Sequence, residues 1–251
     1  MLEVAEVSVR FGGIVALDDL SFTMDRGQIC GLIGPNGAGK TTLFNVVSRI
    51  YDPTWGAVRF EDQNLLDVPA YGIAGRGVAR TFQNLALFPT MTVLDNVMIG
   101  ATTRSKTNWV TAALRIGAER EDRRLRQEAM EILAELDLTR HALHPATGLP
   151  YGTLKRIELA RAMAARPRLL LLDEPASGLT HSEVDELAGT IRFLRDKHQL
   201  TVLLVEHHMQ MVMAISDKVV VLNFGRKIAE GTPAEVSSDP LVIEAYLGAP
   251  T

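Results

Sequence analysis

The stretch Gly34-Pro35-Asn36-Gly37-Ala38-Gly39-Lys40-Thr41 fits the phosphate-loop pattern G-x-x-x-x-G-K-[ST] at every fixed position. The apolar run at residues 28–33, which precedes the loop, has the length of a strand. Apolar side chains then recur at helical spacing, at Leu43, Val46, Val47 and Ile50. A strand, a glycine-rich loop and a helix in this order are the context that the pattern requires, and a turn that merely precedes a helix is the weaker interpretation.

The glycines of this loop allow consecutive backbone N–H groups to turn inward around phosphate oxygens, and the N-terminus of the following helix adds partial positive charge. Lys40 is placed to reach the outer phosphates, and the hydroxyl of Thr41 is suited to hold Mg²⁺. The sequence therefore predicts that the chain binds a nucleoside triphosphate with Mg²⁺. The residues predicted to contact the nucleotide here are Gly34, Pro35, Asn36, Gly37, Ala38, Gly39, Lys40, Thr41 and Thr42.

The composition is ordinary for a globular protein. The 251 residues suffice for one large α/β domain or for a core with a subdomain, and 47% are hydrophobic against 22% charged. A formal net charge of −4 gives no reason to expect nucleic acid as a partner. The single cysteine, Cys30, lies in the apolar run before the loop, so we expect a buried thiol, no disulfide and a reducing compartment.

No run of the sequence approaches the ~20 apolar residues that span a bilayer. Residues 1–6 lack the basic and then apolar layout of a secretory signal. The sequence therefore predicts a cytoplasmic chain that does not cross the membrane itself but is free to dock on a membrane protein.

Short strands flank the loop on both sides. Apolar and polar residues alternate over residues 5–11 and again over residues 20–24, which predicts two half-buried strands in a small antiparallel sheet beside the nucleotide core. Residues 55–60, after the first helix, add another short strand.

Helical patterns prevail from residue 85 to residue 165. The clearest apolar stripe at helical spacing is formed by Leu125, Ala129, Ile132, Leu133 and Leu136. We interpret residues 85–165 as an α-helical subdomain inserted into an α/β core of residues 1–84 and 166–251, all within one domain of residues 1–251.

Continuous apolar runs mark the rest of the core. Residues 169–172 and 201–205 are apolar without alternation, as is typical of parallel strands buried on both faces. A helical pattern lies between them, and a hairpin is predicted over residues 218–230 with its turn at residues 223–226. The fold class predicted is α/β, with a mostly parallel sheet, helices on both faces and ligands at the C-terminal ends of the strands.

Two carboxylates follow the first of these runs. Asp173 ends a buried strand, where a charge is unfavourable unless it meets a cation, so we predict that it binds Mg²⁺ through water, with a capping role as the alternative. Glu174 comes one residue nearer the γ-phosphate, where a carboxylate can orient attacking water or accept its proton. A glutamate at the surface would look the same in the sequence.

The second run is followed by Glu206, His207 and His208. A histidine at the end of a strand can hydrogen-bond a γ-phosphate and so respond to its presence. A structural role is an equally supported alternative, and spacing does not choose between His207 and His208.

Taken together, these motifs resemble the ATP-binding subunits of ABC transporters, essentially from end to end. Thr81-Phe82-Gln83 resembles the glutamine loop of that family, and Glu206-His207 resembles its switch-histidine motif. The resemblance implies that Gln83 contacts Mg²⁺ and the attacking water, and that His207 rather than His208 faces the γ-phosphate. Phe11 falls where the family places an aromatic ring under the adenine of ATP, and packing within its strand is the alternative.

Further segments resemble one branch of the family, the ATPase subunits of importers for branched-chain amino acids, with importers of urea and short-chain amides as near relatives. These segments are residues 11–17, 80–84, 87–93, 101–120, 231–233 and 244–248. The resemblance implies two ATPase subunits beneath two integral-membrane permease subunits, at the cytoplasmic face of the cell membrane. It also implies an extracytoplasmic solute-binding protein that delivers the cargo.

The chain departs from the family at the signature motif. The Leu-Ser-Gly-Gly-Gln run of the family corresponds here to residues 149–153, in which Pro150 offers a phosphate neither a hydroxyl nor an N–H. Gly152 remains, and the resemblance implies that it contacts the nucleotide held by the second ATPase subunit. Thr180 stands where the family has an aspartate. Since the residues that hold this chain's own nucleotide are intact, we hypothesise a heterodimer, with a homodimer as the alternative, in which ATP on this chain is hydrolysed more readily.

Two other functions are weaker interpretations. Soluble ABC proteins that act on ribosomes or DNA usually have two cassettes in one chain or a long coiled coil, and this sequence has one cassette and no long heptad run. A nucleotide-binding regulator with little turnover would fit Pro150, but the intact Glu174 and His207 argue against it. The cargo is not determined by this sequence, because the permeases and the binding protein contact it.

Overall fold

Uninterrupted runs of buried apolar residues form the centre of the main sheet, because a strand covered on both faces has no polar side to expose. In this computed structural model, which describes residues 1–83, 85–104 and 118–247, every residue of the three central strands β3, β7 and β8 is buried. The strands, in chain order, are β1 Leu2–Phe11, β2 Ile14–Met24, β3 Ile29–Ile33, β4 Trp55–Phe60, β5 Gln63–Asn64, β6 Val78–Arg80, β7 Leu169–Asp173, β8 Thr201–Val205, β9 Lys218–Asn223 and β10 Arg226–Gly231.

The main sheet has six strands in the order β10, β9, β3, β8, β7, β6. The strands from β9 to β6 are parallel, and β10 pairs antiparallel with β9 through the predicted hairpin turn, which contains Phe224 and Gly225. A second, antiparallel sheet has the order β2, β1, β4, β5. This topology confirms the predicted fold class, and it places the residues that follow β3, β7 and β8 at one edge of the main sheet.

The first strand is longer than its alternation predicts. β1 begins at Leu2 rather than at residue 5, and its pairing register with β2 shifts between Val4 and Val7. Glu6, within the shift, has a left-handed φ of +50°. Such a bulge breaks a period of two, so Leu2 and Val4 are buried as Val7 is, although they fall out of step with it in the sequence.

Helices cover both faces of the main sheet. Phe44 of α1 is buried in the core that the main sheet shares with the antiparallel sheet, whereas Ile157 of α4 and Ile191 of α5 are buried in the core on the other face. The helices, in chain order, are α1 Lys40–Val47, α2 Val93–Gly100, α3 Ala118–Glu135, α4 Tyr151–Ala164, α5 His181–His198, α6 Met209–Ile215, α7 Pro233–Ser237 and α8 Pro240–Leu247.

The helices α2, α3 and α4 pack against one another on that second face. The apolar stripe predicted for α3 is buried there, with Leu133 fully inaccessible. Most of the predicted extra segment at residues 101–120 lies outside the described residues, as do Asn84 and Gly248. Within the three described ranges, no helix combines the length and the apolar character that crossing a membrane requires.

The thiol of Cys30 is fully buried in β3, and this burial raises its pKa to about 12. Since the thiolate is the reactive form of cysteine and burial also restricts access of a thiol reagent, we expect the native chain to react at least about 100-fold more slowly than the chain unfolded in guanidinium chloride. The measurement is the rate of Ellman's reaction at mildly alkaline pH. Equal rates in the two states would contradict the buried position of β3.

Candidate nucleotide-binding site

The loop between β3 and α1 depends on glycines in conformations that other residues rarely adopt. Gly34 has a φ of +151° and Gly39 a φ of +103°. A Cβ on Gly34 would lie 2.2 Å from the carbonyl oxygen of Leu222, and one on Gly39 would lie 2.6 Å from that of Ala16. The loop therefore runs so close to β9 and β2 that only glycine fits at these two positions of the pattern.

Lys40 begins α1, and its side chain is folded back against this loop. Its Nζ donates hydrogen bonds to the carbonyl oxygens of Gly34 (2.7 Å) and Pro35 (3.0 Å). Burial lowers the pKa of Lys40, and the nearby negative charges of Glu174 and Asp173 oppose that effect. Neutral carbonyl groups hold the ammonium in place without neutralising it, so its charge remains available to phosphate oxygens.

Glu174 is fixed between two other predicted catalytic residues. Its Oε2 accepts a hydrogen bond from Nε2 of Gln83 at 2.7 Å, and its Oε1 lies 2.8 Å from Nε2 of His207. Because an ionised carboxylate can only accept, Nε2 of His207 is the donor in this pair. The structure thus brings Gln83, Glu174 and His207 together, although they come from the ends of three different strands.

The neighbouring histidine is placed differently. His208 stacks edge-to-face on His181, with ring centroids 5.7 Å apart. Of the two histidines that spacing could not separate, His207 is the one that contacts Glu174.

Asp173 ends β7 in a buried ion pair with Arg80, the last residue of β6. Nη2 of Arg80 donates to Oδ2 of Asp173 at 2.7 Å, and both side chains are only 8% exposed. The sequence predicts a cation for this carboxylate but does not identify Arg80 as one. The spacing of 93 residues between the two explains the omission, since only the pairing of β6 with β7 brings them together.

The oxygen-bearing side chains at this edge of the sheet suit Mg²⁺, which prefers hard oxygen ligands. Thr41 offers an exposed hydroxyl at the start of α1, Gln83 an amide oxygen after β6, and Asp173 a carboxylate at the end of β7. This donor set fits a magnesium ion that is held jointly with the phosphates of a nucleotide.

Glu206 is a functional candidate that sequence reasoning missed. It is 3% exposed, and its carboxylate accepts hydrogen bonds from the backbone N–H groups of Ala176 (2.6 Å), His207 (2.7 Å) and His208 (3.0 Å). It therefore fastens the loop after Glu174 to the loop that carries His207. A carboxylate directly after a buried strand is the signal that could have indicated it.

Two residues of α4 position the segment that carries Gln83. Nζ of Lys155 donates to the carbonyl oxygen of Gln83 at 3.3 Å, and Oε1 of Glu158 accepts from the N–H of Phe82 at 3.2 Å. Both side chains are buried, and burial raises the pKa of Glu158. The helix that follows the signature motif is thus anchored directly to the glutamine loop.

Phe11 ends β1 with its ring 46% exposed. The ring lies edge-on to Tyr51, with centroids 5.2 Å apart. β1 buries Val7 and Val9 and leaves Phe11 about half exposed, a position that is compatible both with stacking on a base and with packing within the strand.

Gly152 lies at the start of α4, apart from the phosphate loop. A Cβ there would lie 2.6 Å from Oε1 of Glu183 in α5. Pro150 is the N-cap residue of α4 and makes no side-chain capping hydrogen bond. Tyr151 is 42% exposed, and its ring lies against Gly178. A Cβ on Gly178 would lie 3.0 Å from Cε1 of that ring.

Comparison with known protein families gives two matches. Residues 17–177 match the family described as ABC transporter, and residues 226–250 match the family described as branched-chain amino acid ATP-binding cassette transporter. The first match contains the phosphate loop, the glutamine loop and the two carboxylates Asp173 and Glu174. The predicted resemblance is therefore confirmed.

Similar proteins extend over nearly the whole chain. The high-affinity branched-chain amino acid transport ATP-binding protein BraF of Pseudomonas aeruginosa is 43% identical, covering 99% of this chain and 98% of that protein. The corresponding LivG protein of Escherichia coli is 41% identical over the same shares of the two chains. Among solved structures, the ADP conformation of an ATP-binding cassette of an ABC transporter superposes with a TM-score of 0.86 at 30% identity, covering 99% of each chain. The chain is thus a member of the ABC transporter family, as an ATP-binding cassette.

Proposed function

We propose that the chain is the ATP-hydrolysing subunit of an importer for branched-chain amino acids. The observation that carries the proposed ATP hydrolysis is the fixed position of Glu174, which is held by Gln83 and His207 at the edge of the sheet where Lys40 lies. An oriented carboxylate at such a place is suited to activate water.

In the proposed mechanism, the loop and Lys40 bind the phosphates of ATP, and Thr41, Asp173 and Gln83 hold Mg²⁺. A bound Mg²⁺ would supply positive charge that offsets the negative charge of the phosphates. A γ-phosphate that accepts the hydrogen bond of His207 frees Oε1 of Glu174. Glu174 then orients the attacking water and accepts its proton, while the water oxygen bonds to the γ-phosphorus and the bond from that phosphorus to the bridging oxygen breaks, so that ADP and phosphate are the products.

The base is proposed to stack on Phe11, whose exposed ring could cover one face of an adenine. Tyr51, edge-on to Phe11, would close the side of this platform.

We assign nucleotide binding and permease contact to different parts of the domain. Residues 1–84 and 166–251 form the nucleotide core, and residues 85–165 form the helical subdomain. Between them lies a groove of about 440 Å³, whose lining includes Ile50, Phe82, Ile99 and Arg161. We propose that a short helix of an integral-membrane permease subunit docks there, which places the chain at the cytoplasmic face of the membrane.

Cargo specificity is inferred from relatives along the whole chain, since BraF and LivG are both named for branched-chain amino acid transport. The match of residues 226–250 to a branched-chain amino acid family supports the same cargo. Urea or a short amide is the alternative cargo. The test is to purify the assembled transporter with its permeases and solute-binding protein and to identify the small molecule that the binding protein holds. A binding protein that holds leucine, isoleucine or valine supports the proposal, and one that holds urea or a short amide overturns it.

The second subunit is proposed to be a different ABC ATPase. Because Pro150 lacks a donor for phosphate, the signature that this chain offers its partner is weaker than the site that it keeps for itself. Thr153 and Thr180 add to the difference from the family. Glu174→Gln in this chain should therefore lower turnover of the assembled transporter more than the equivalent change in the partner, and equal losses would contradict the asymmetry.

A further inference from the structure

The guanidinium group of Arg80 hydrogen-bonds to three side chains beside the candidate nucleotide-binding site. Nη2 donates to Oδ2 of Asp173 at 2.7 Å, and Nη1 donates to Oδ1 of Asn45 and to Oγ of Ser48, each at 2.8 Å. Asn45 belongs to α1, the helix that begins at the phosphate loop, and Ser48 is the C-cap residue of that helix. Asp173 ends β7. The planar fork of an arginine suits this arrangement, because its donors are fixed relative to one another.

Two aromatic rings confine the same group. The guanidinium carbon of Arg80 lies 5.4 Å from the ring centroid of Phe44 and 5.2 Å from that of Phe82. Phe44 is fully buried, so the guanidinium cannot move in that direction without disturbing the core. Contacts of this kind favour a cation over an aromatic face and add to its positional restraint.

The ion pair leaves Asp173 with a defined orientation. A carboxylate that is 8% exposed needs a cation, and Arg80 supplies one through Oδ2 alone. Oδ1 is then the oxygen that remains for a metal or for water bound to it. The charge of Asp173 also acts on Lys40, so a carboxylate released by Arg80 would be drawn toward that ammonium instead.

We propose that Arg80 is a positioning residue, which orients Asp173 for the magnesium ion of Mg-ATP. This inference rests on the proposed function, because it requires that the site hold Mg-ATP. In this proposal Arg80 acts through Asp173, with which it pairs, and not by direct contact with the nucleotide or the metal.

The test measures binding of a fluorescent ATP analogue to the purified chain, once with Mg²⁺ and once with EDTA. The dissociation constant in EDTA divided by the dissociation constant with Mg²⁺ gives the strengthening of nucleotide binding by Mg²⁺. We expect Arg80→Met to reduce this strengthening at least ~10-fold while binding in EDTA changes less than ~3-fold. Arg80→Lys should show most of the same loss, since an ammonium cannot bridge Asp173, Asn45 and Ser48 at once.

The matched control is Arg195→Met, which makes the same replacement at another arginine. Arg195 forms an ion pair with Asp217 at 2.9 Å and donates to the carbonyl oxygen of Gly27, at the opposite ends of the strands. A general loss of stability would appear in both variants as a lower thermal midpoint. Only Arg80 should change the strengthening by Mg²⁺. If Arg80→Met does not fold, Arg80→Lys, which keeps the charge, decides the question.

A double variant tests whether Arg80 acts through Asp173. In the Asp173→Asn background, Arg80→Met should change the strengthening by Mg²⁺ less than ~2-fold, because the carboxylate that it orients is gone. Full strengthening in both Arg80 variants, or independent losses in the double variant, would overturn the inference and leave the proposed function standing. A wild-type chain that binds no nucleotide under either condition would overturn the proposed function itself.

Discussion

Glu174→Gln is expected to lower steady-state ATP hydrolysis by about 10²- to 10⁴-fold, the range typical for loss of a general base. Glutamine keeps the shape of the side chain and can still pair with Gln83 or His207, but it cannot accept a proton from water. Nucleotide binding should persist, because Lys40 and the phosphate loop are untouched. The two measurements are phosphate release and equilibrium binding of ATP with the same preparation.

The control for this prediction is Glu131→Gln. Glu131 is an exposed glutamate on α3 that accepts a hydrogen bond from Gln127 at 3.1 Å. Its substitution removes the same charge far from the phosphate loop and should leave hydrolysis within about twofold of wild type. Hydrolysis that survives Glu174→Gln at the wild-type rate would remove this residue from the mechanism and would favour another base.

Lys40→Ala is expected to weaken ATP binding by about 100-fold, which corresponds to about 2.7 kcal/mol. The change removes the buried ammonium that is held by the carbonyl oxygens of Gly34 and Pro35. It also leaves the carbonyl oxygen of Gly34 without the donor that Lys40 supplies, whereas that of Pro35 still accepts from the N–H of Ala38, so a small loss of stability will accompany the loss of affinity. Binding should be measured by titration calorimetry at a temperature well below the unfolding midpoint of the variant.

Lys197→Ala serves as the comparison for Lys40→Ala. Lys197 lies near the end of α5, where its side chain is 46% exposed and pairs with Glu135 at 3.2 Å. Removing this exposed charge should change ATP affinity less than about twofold. Wild-type affinity in Lys40→Ala would show that the loop binds phosphate through its backbone alone.

The centre of the fold could be predicted because its signals are local. The strands β7 and β8 are continuous apolar runs, and the phosphate loop is defined by glycines at fixed spacing. The predicted start of β1 was three residues too late, because the bulge at Glu6 interrupts the alternation on which that prediction depended.

The contacts within the candidate site were harder to predict. Sequence spacing places Asp173, Glu174 and His207 at strand ends, but it does not show what holds them. Arg80 is absent from the predicted site because its partner Asp173 is 93 residues away and meets it only through the pairing of β6 with β7. Glu206 is absent although its position directly after a buried strand was a usable signal. A residue whose role is to fix another side chain has no motif of its own, so only the folded arrangement identifies it.

The three hydrogen bonds that Glu206 accepts from backbone N–H groups join the loop after Glu174 to the loop that carries His207. The loop that starts at His207 cannot shift without pulling on Ala176, which leads within two residues to Gly178. Gly178 lies against Tyr151, beside the surface that carries Gly152. If phosphate is released at the nucleotide that this chain is proposed to hold, a continuous covalent and hydrogen-bonded route leads from His207 to the surface around Gly152, which is proposed to face the second ATPase subunit.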